Sequence, residues 1–182
     1  MKKVVFRLFV AGFAFLALSC EKDVEPTNTL ALSELEKNNY IKAFIDNQEV
    51  NLTGKLPLAD ILFNAYIQSE NTLRMQRLDT ANPNITFDLV VENVNYPALN
   101  LPTTVTYTAD SLNQPSLAMF YYDSLGNVFS NNILDPNSFS LTISSAEQDL
   151  VIGSFEGTLY NQSQDSIAVS NGLYRIKIKK YD

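Results

Sequence analysis

The chain has 182 residues, of which 13 are basic and 20 are acidic, giving a formal net charge of −7. Such an acidic chain lacks the clustered Lys and Arg that nucleic acid requires, so we expect no nucleic-acid partner. It contains no histidine and a single cysteine. This composition excludes an internal disulfide and most zinc sites, Ser-His-Asp triads and Cys-His dyads, and we predict no metal site and no enzymatic activity.

The first 19 residues have the layout of a secretory signal. Lys2, Lys3 and Arg7 precede an apolar segment over residues 8–18 that is too short to span a bilayer as a helix, and Ser19 is small. A cysteine directly after such a segment is typical of bacterial lipoproteins, and LALSC resembles their lipobox, with Ala17 where leucine is usual. We therefore predict a signal peptide over 1–19 and a diacylglycerol on the thiol of Cys20. The alternative is an ordinary signal peptide followed by a stray cysteine.

Residues 20–38 are predicted to form a flexible tether. The charged start, EKDVEP, should remain extended and solvated beside the membrane. Its acidic residues Glu21, Asp23 and Glu25 resemble a signal for export to the outer face of the outer membrane in some Bacteroidetes, although a plain charged tether explains them equally well. Cleavage would remove three of the 13 basic residues and none of the 20 acidic ones, so the mature net charge would be −10. We expect an outer-membrane protein, anchored by lipid and facing either the cell surface or the periplasm.

From residue 39 to residue 182 the sequence predicts one all-β domain. Apolar and polar residues alternate over many short runs, which is typical of strands buried on one face. Six prolines fall between these runs and never inside one, namely Pro57, Pro83, Pro97, Pro102, Pro115 and Pro136. We predict a single antiparallel β-sandwich or lipocalin-like barrel of about ten strands; the pattern does not choose between them.

The last forty residues predict one long hairpin. VIGSFEGTLYN and SIAVSNGLYRIKI have similar lengths and are joined by the polar loop QSQD. Gly153 and Gly157 share a face with Phe155, so glycines occupy positions where side chains normally pack, which predicts bulges or a ring packed across the gap. Asn171-Gly172 suits a type I′ turn, but a bulge is favoured because a turn there would pair strands of very unequal length.

These segments resemble a family of uncharacterised Bacteroidetes and flavobacterial lipoproteins. The resemblance rests on the signal, on the hairpin KAFIDNQEV and on residues 139–178, where G-x-F-x-G-x-L precedes I-x-V-x-N-G-x-Y and a basic final strand. It implies an all-β secreted domain and carries over no catalytic residue.

Candidate binding residues are aromatic. Tyrosine suits half-buried sheet positions and can face sugars or proteins. Four tyrosines are therefore the candidates for an exposed aromatic patch: Tyr107, Tyr121, Tyr122 and Tyr160. Sheet packing is the alternative at each. Asp88, Glu92 and Glu156 lie in or beside strands and are the candidates for a carboxylate-based glycan hydrolase. The loop DSLGN lacks the ligand pattern of a calcium site and is predicted to be a hairpin turn.

Four tripeptides share the form Asp, hydroxyl residue, small or apolar residue. They resemble the O-glycosylation sequon of Bacteroidetes and make Thr80, Ser111, Ser124 and Ser166 candidate modification sites. The alternative is that Asp-Ser and Asp-Thr favour turns through local hydrogen bonds.

The sequence therefore predicts a non-enzymatic outer-membrane lipoprotein with a covalent lipid on Cys20 and no other cofactor. Its β domain would act as a binding or structural module, with glycan or protein as candidate ligands. The alternatives are a carboxylate-based glycan hydrolase and an accessory subunit of an envelope complex.

Overall fold

The computed structural model describes residues 39–55, 64–108, 114–131, 135–147 and 149–182. The predicted signal peptide, tether and lipidated Cys20 lie outside the described residues, as do Ser111 and Pro57. The described strands are β1 (Tyr40–Ile45), β2 (Gln48–Leu52), β3 (Asn64–Ile67), β4 (Thr72–Leu78), β5 (Thr86–Glu92), β6 (Thr103–Thr106), β7 (Ser116–Tyr122), β8 (Val128–Ser130), β9 (Phe139–Glu147), β10 (Leu150–Tyr160), β11 (Ser166–Lys177) and β12 (Lys179–Tyr181).

The fold is all-β and sandwich-like, as the alternation predicts. The twelve strands form one sheet in the order β12-β3-β4-β5-β7-β8-β10-β11-β1-β2, with β9 beside β10 and β6 beside β9. Two short 3₁₀ turns, Gln68–Glu70 and Tyr96–Ala98, are the helical elements of the described residues. None of the helices in this part of the chain is long and apolar enough to cross a membrane.

The sheet curls back on itself. Gly54, just beyond β2, exchanges two backbone hydrogen bonds with Leu78 at the end of β4, with N···O distances of 2.9 and 3.1 Å. On the other side, β10 pairs with β9 from Leu150 to Gly157 and then reaches β8 at Tyr160. A sheet turns a corner where one strand changes its pairing partner along its length.

One pairing departs from the expected antiparallel pattern. β12 runs parallel to β3, with Lys179 opposite Ala65 and Tyr181 opposite Ile67. Ile178 interrupts the strand pairing between β11 and β12; it is buried and donates its N–H to the Asp149 carbonyl. Ile178 thus lies between the long hairpin and β12, whose three residues pair at one end of the sheet order.

The core lies between the curled layers and is aromatic at its centre. Phe155 contacts Phe87 with ring centroids 5.5 Å apart, Phe139 at 6.0 Å and Tyr174 at 6.4 Å. Phe139, Phe155 and Tyr174 come from the neighbouring strands β9, β10 and β11, and Phe87 ties them to the more distant β5.

The long hairpin and its bulge are confirmed. β10 and β11 pair from Leu150–Lys177 to Tyr160–Ser166, and between Phe155 and Gly157 the register shifts. There β11 carries the extra residue: Ser170 and Asn171 oppose Glu156 alone, and Asn171 has a φ of 51°. Asn171-Gly172 is therefore part of a bulge and not a hairpin turn.

A ring does pack across the glycine gap, as predicted. Gly153 is opposite Tyr174, and a Cβ at Gly153 would overlap the Tyr174 phenol and the Thr142 carbonyl. The phenol donates a hydrogen bond to that carbonyl at 3.0 Å. Gly153 is thus required because the ring occupies the space of its missing side chain.

Candidate functional site

A surface groove of about 310 Å³ lies where β7, β8 and β10 meet, and we call it the aromatic groove. Its walls carry Phe120, Val128 and Tyr160. Its polar lining comes from Ser130 and Asn131 on one side and from Asn161, Gln162 and Gln164 of the β10–β11 loop on the other.

Strand pairing explains why these residues meet. Phe120 of β7 is opposite Ser130 of β8, and Ser130 is opposite Tyr160 of β10. The three therefore form one row on the outer face of the sheet, with the small serine between two aromatic residues. Their sequence neighbours Tyr121, Phe129 and Leu159 are buried in the core, which fixes the outward face.

Internal hydrogen bonds hold the floor and one rim of the groove. Asn131 is buried; its side chain accepts the Met119 N–H at 2.8 Å and donates to the Leu117 carbonyl at 2.7 Å. It thereby continues the pairing with β7 after β8 ends. In the loop, the Asn161 amide donates to the Asp165 carboxylate at 2.9 Å and accepts the Asp165 N–H at 2.9 Å. These two asparagines preorganise the groove and are already satisfied, so they are structural and not ligand contacts.

The four predicted aromatics have different positions. Tyr160 lines the groove, whereas Tyr107 and Tyr122 are half-buried and lie outside it. At Tyr121 the sheet-packing alternative holds: this residue is 7% exposed, and its ring lies 4.8 Å from that of Phe87. Burial, together with the negative charges of Asp123 and Asp46, raises the pKa of Tyr121.

Phe120 and Val128 were missed by sequence reasoning. The available signal was the alternation of β7, in which Leu117, Met119 and Tyr121 are buried and Phe120 is on the other face. This alternation indicates that Phe120, and not Tyr121, is on the outer face of the strand.

The three candidate carboxylates are not brought together. Asp88 is opposite Gln76 and Phe120, Glu156 is opposite Ser140, and Glu92 is exposed at the end of β5. Asp88 and Glu92 are four strand residues apart, so their Cα atoms are separated by about 13 Å. Burial raises the pKa of Asp88, and the nearby Arg74 opposes this only in part.

Within the described residues, no group of three His, Cys, Asp or Glu is placed to hold a metal ion.

A second groove of about 250 Å³ follows the bulge, and we call it the hydroxyl groove. Ser140, Thr142 and Ser154 line it together with Glu156, Asn171 and Leu173. Phe155 and Gly172 also line it, but the Phe155 side chain is 2% exposed. This groove therefore offers hydroxyls and a carboxylate with no exposed aromatic surface.

Two of the Asp-Ser and Asp-Thr tripeptides, those that begin at Asp79 and Asp123, form turns. The Asp79 carboxylate accepts the N–H groups of Ala81 and Asn82, and the Asp123 carboxylate accepts those of Leu125 and Asn127. Desolvation acts to raise the pKa of Asp123, but the hydrogen bonds from Asn127, Leu125 and Gly126 together outweigh it and lower that pKa. Local hydrogen bonding therefore accounts for these residues without modification. Thr80, Ser124 and Ser166 are exposed, so modification of these sites stays a prediction.

The chain was compared with protein-family models, curated protein sequences and solved structures, and no match was found in any of the three comparisons.

Proposed function

We propose that the protein is an outer-membrane lipoprotein, anchored through Cys20, whose β domain binds a ligand in the aromatic groove. The observation that supports binding is the row Phe120–Ser130–Tyr160, which sets two aromatic residues on a rigid sheet with a gap between them. Concave sites with a few apolar walls and placed polar groups are where small ligands bind, typically at volumes of ~300–1,000 Å³. The position of the cysteine directly after an apolar segment supports the anchor.

Two features of the groove favour ligand binding over a purely structural role. The backbone of the groove is held by the buried Asn131 and by the Asn161–Asp165 pair, so little ordering is needed when a ligand binds. Val128 is 42% exposed beside the half-buried Phe120 and Tyr160, which leaves apolar surface in the groove accessible to a ligand.

The anchor is tested by replacing Cys20 with Ala in cells fed radiolabelled fatty acid. We expect label and membrane association for the unmodified chain and neither for Cys20→Ala. Label that persists in Cys20→Ala would contradict the anchor. Protease shaving of intact cells, with a known periplasmic protein as control, then establishes which side of the membrane the domain faces.

Binding is tested by chemical-shift mapping of the full chain against a mixed fragment library of sugars, aromatic heterocycles and short peptides. We expect at least one hit whose shifts cluster on Phe120, Val128, Ser130 and Tyr160. The same hit should disappear in Ser130→Phe, which fills the gap from an outward position of the sheet. Hits scattered over the surface, or none at all, would overturn the binding role.

A further inference from the structure

We infer that the aromatic groove takes a neutral sugar ring, held between Phe120 and Tyr160 above the Ser130 hydroxyl. This inference rests on the proposed function and names the ligand class of that site.

The spacing of the strands sets the width of the gap. Phe120, Ser130 and Tyr160 occupy one row on three adjacent strands, so two strand intervals of about 4.8 Å put the backbones of the two aromatic residues about 10 Å apart. A flat ring in contact with a side chain on each side needs roughly 7 Å between those side chains, because carbon atoms meet at about 3.5 Å. Serine has no bulk to fill this space. Because side chains stand roughly perpendicular to a sheet, this strand spacing admits one ring between the two aromatic side chains.

The lining of the groove determines the charge of the ligand. All eight described residues that line it are uncharged, in a chain with 20 acidic and 13 basic residues. The nearby Asp165 carboxylate is held by the Asn161 amide. Among these described residues an anionic ligand would meet no cation, and the net negative charge of the chain would repel it, so an uncharged ligand fits best.

The polar groups around the gap favour a sugar over an aromatic peptide side chain. A pyranose ring presents C–H faces to aromatic walls and hydroxyl groups around its edge. Ser130, Tyr160 and Gln162 line the groove and carry a hydroxyl, a phenol and an amide that can hydrogen-bond to such an edge. An aromatic side chain would cover these groups without hydrogen-bonding to them, which is costly when water is displaced.

The groove is open on the sides from which a longer glycan could extend. Val128 is 42% exposed, and Gln162 and Gln164 of the β10–β11 loop are exposed as well. The site therefore suits one ring within an oligosaccharide.

The test is isothermal titration of the full chain, extracted in a detergent without a sugar headgroup. The probes are neutral hexasaccharides built from glucose, mannose, galactose or xylose, matched acidic oligosaccharides of uronic acids, and a tryptophan-containing pentapeptide. The variants are Phe120→Ala, Tyr160→Ala and Ser130→Phe. Tyr122→Ala is the matched control, since Tyr122 is a half-buried tyrosine on the outward face of β7 but outside the groove. Thermal unfolding of each variant checks that it is folded.

We expect at least one neutral hexasaccharide to bind, about tenfold more weakly to Phe120→Ala and Tyr160→Ala, not measurably to Ser130→Phe, and normally to Tyr122→Ala. The acidic oligosaccharides should bind more weakly than the neutral ones. If the peptide binds in a groove-dependent way and no sugar binds, the assignment of a sugar as the ligand is overturned, whereas the proposed binding role of the groove stands. Sugar binding that is equal in all variants overturns the groove as the sugar site. No binding of any probe overturns the inference, and the binding role fails as well if the fragment library gives no groove hit.

Discussion

At the scale of single residues, the glycines of the long hairpin determine how closely the aromatic core packs. Gly153 lies under the Tyr174 phenol, and Gly172 lies against the Phe155 ring and carbonyl. A methyl group at either position overlaps backbone as well as ring atoms, so a side-chain rotation alone cannot relieve the overlap. The pair Phe155–Tyr174 thus depends on two positions without side chains.

Gly153→Ala should lower the free energy of unfolding by about 1–3 kcal/mol, the usual cost of overpacking a core. Urea denaturation measures the change. Gly126→Ala is the control: it has a φ of 83° and nothing within 4 Å of the added carbon, so its cost should be limited to about 1 kcal/mol of backbone strain. Equal costs at both positions would show that the Tyr174 contact does not require the glycine.

Asp88→Asn should raise the melting temperature by a few degrees at pH 7 and leave it unchanged near pH 3. Burial raises the pKa of Asp88, so the folded state holds its proton more tightly than the unfolded state. Stability from this group is therefore present below its unfolded pKa and is lost as the pH rises through the folded pKa. The asparagine side chain does not ionise, so the variant does not lose this stability as the pH rises. Glu92→Gln, at the exposed end of the same strand, should change neither value. Destabilisation by Asp88→Asn at pH 7 would mean that the Arg74 charge outweighs burial.

At the scale of elements, the β1–β2 hairpin is set by two residues in the left-handed region. Asp46 and Asn47 have φ values of 48° and 67°, and Ile45 is opposite Gln48, which is the geometry of a two-residue type I′ turn. Asp46 also ties this turn to β11, since its carboxylate accepts the Ala168 N–H at 2.8 Å and its own N–H donates to the Ala168 carbonyl.

Asn47→Val should destabilise the protein by about 1–2 kcal/mol, because a β-branched residue tolerates the left-handed region poorly. Asn47→Gly should be neutral or stabilising. The neighbouring Gln48→Val, in an exposed strand position, is the control and should cost little. Thermal or urea unfolding of the three variants measures this order, and a tolerated Asn47→Val would contradict the turn type.

At the scale of the whole molecule, alternation predicted most of the strands but not how they are arranged. Runs such as Phe139, Leu141 and Ile143 are buried as expected. The glycine pattern of β10 predicted bulges or a ring across the gap, and a ring, that of Tyr174, does pack over Gly153. The parallel pairing of β12 could not be predicted, because KKY is too short to show a period and its partner is more than a hundred residues away.

The aromatic groove could not be predicted from the sequence either. Phe120, Ser130 and Tyr160 become neighbours only through the register of β7, β8 and β10, and register is not encoded in any one segment. Tyr160 could be named as a candidate from its residue type. Its partner Phe120, and the gap between them, follow only from the pairing.

The measurement that most directly tests the account of a lipid-anchored domain is the intact mass of the full-length protein extracted from membranes. We predict the mass of residues 20–182 plus a diacylglycerol and any further acyl chain on Cys20. Additional mass in sugar increments would place modification among Thr80, Ser111, Ser124 and Ser166, whereas the lipid increment alone would end that prediction. A mass equal to the unprocessed 182-residue chain, or to a cleaved chain without lipid, would contradict the anchor.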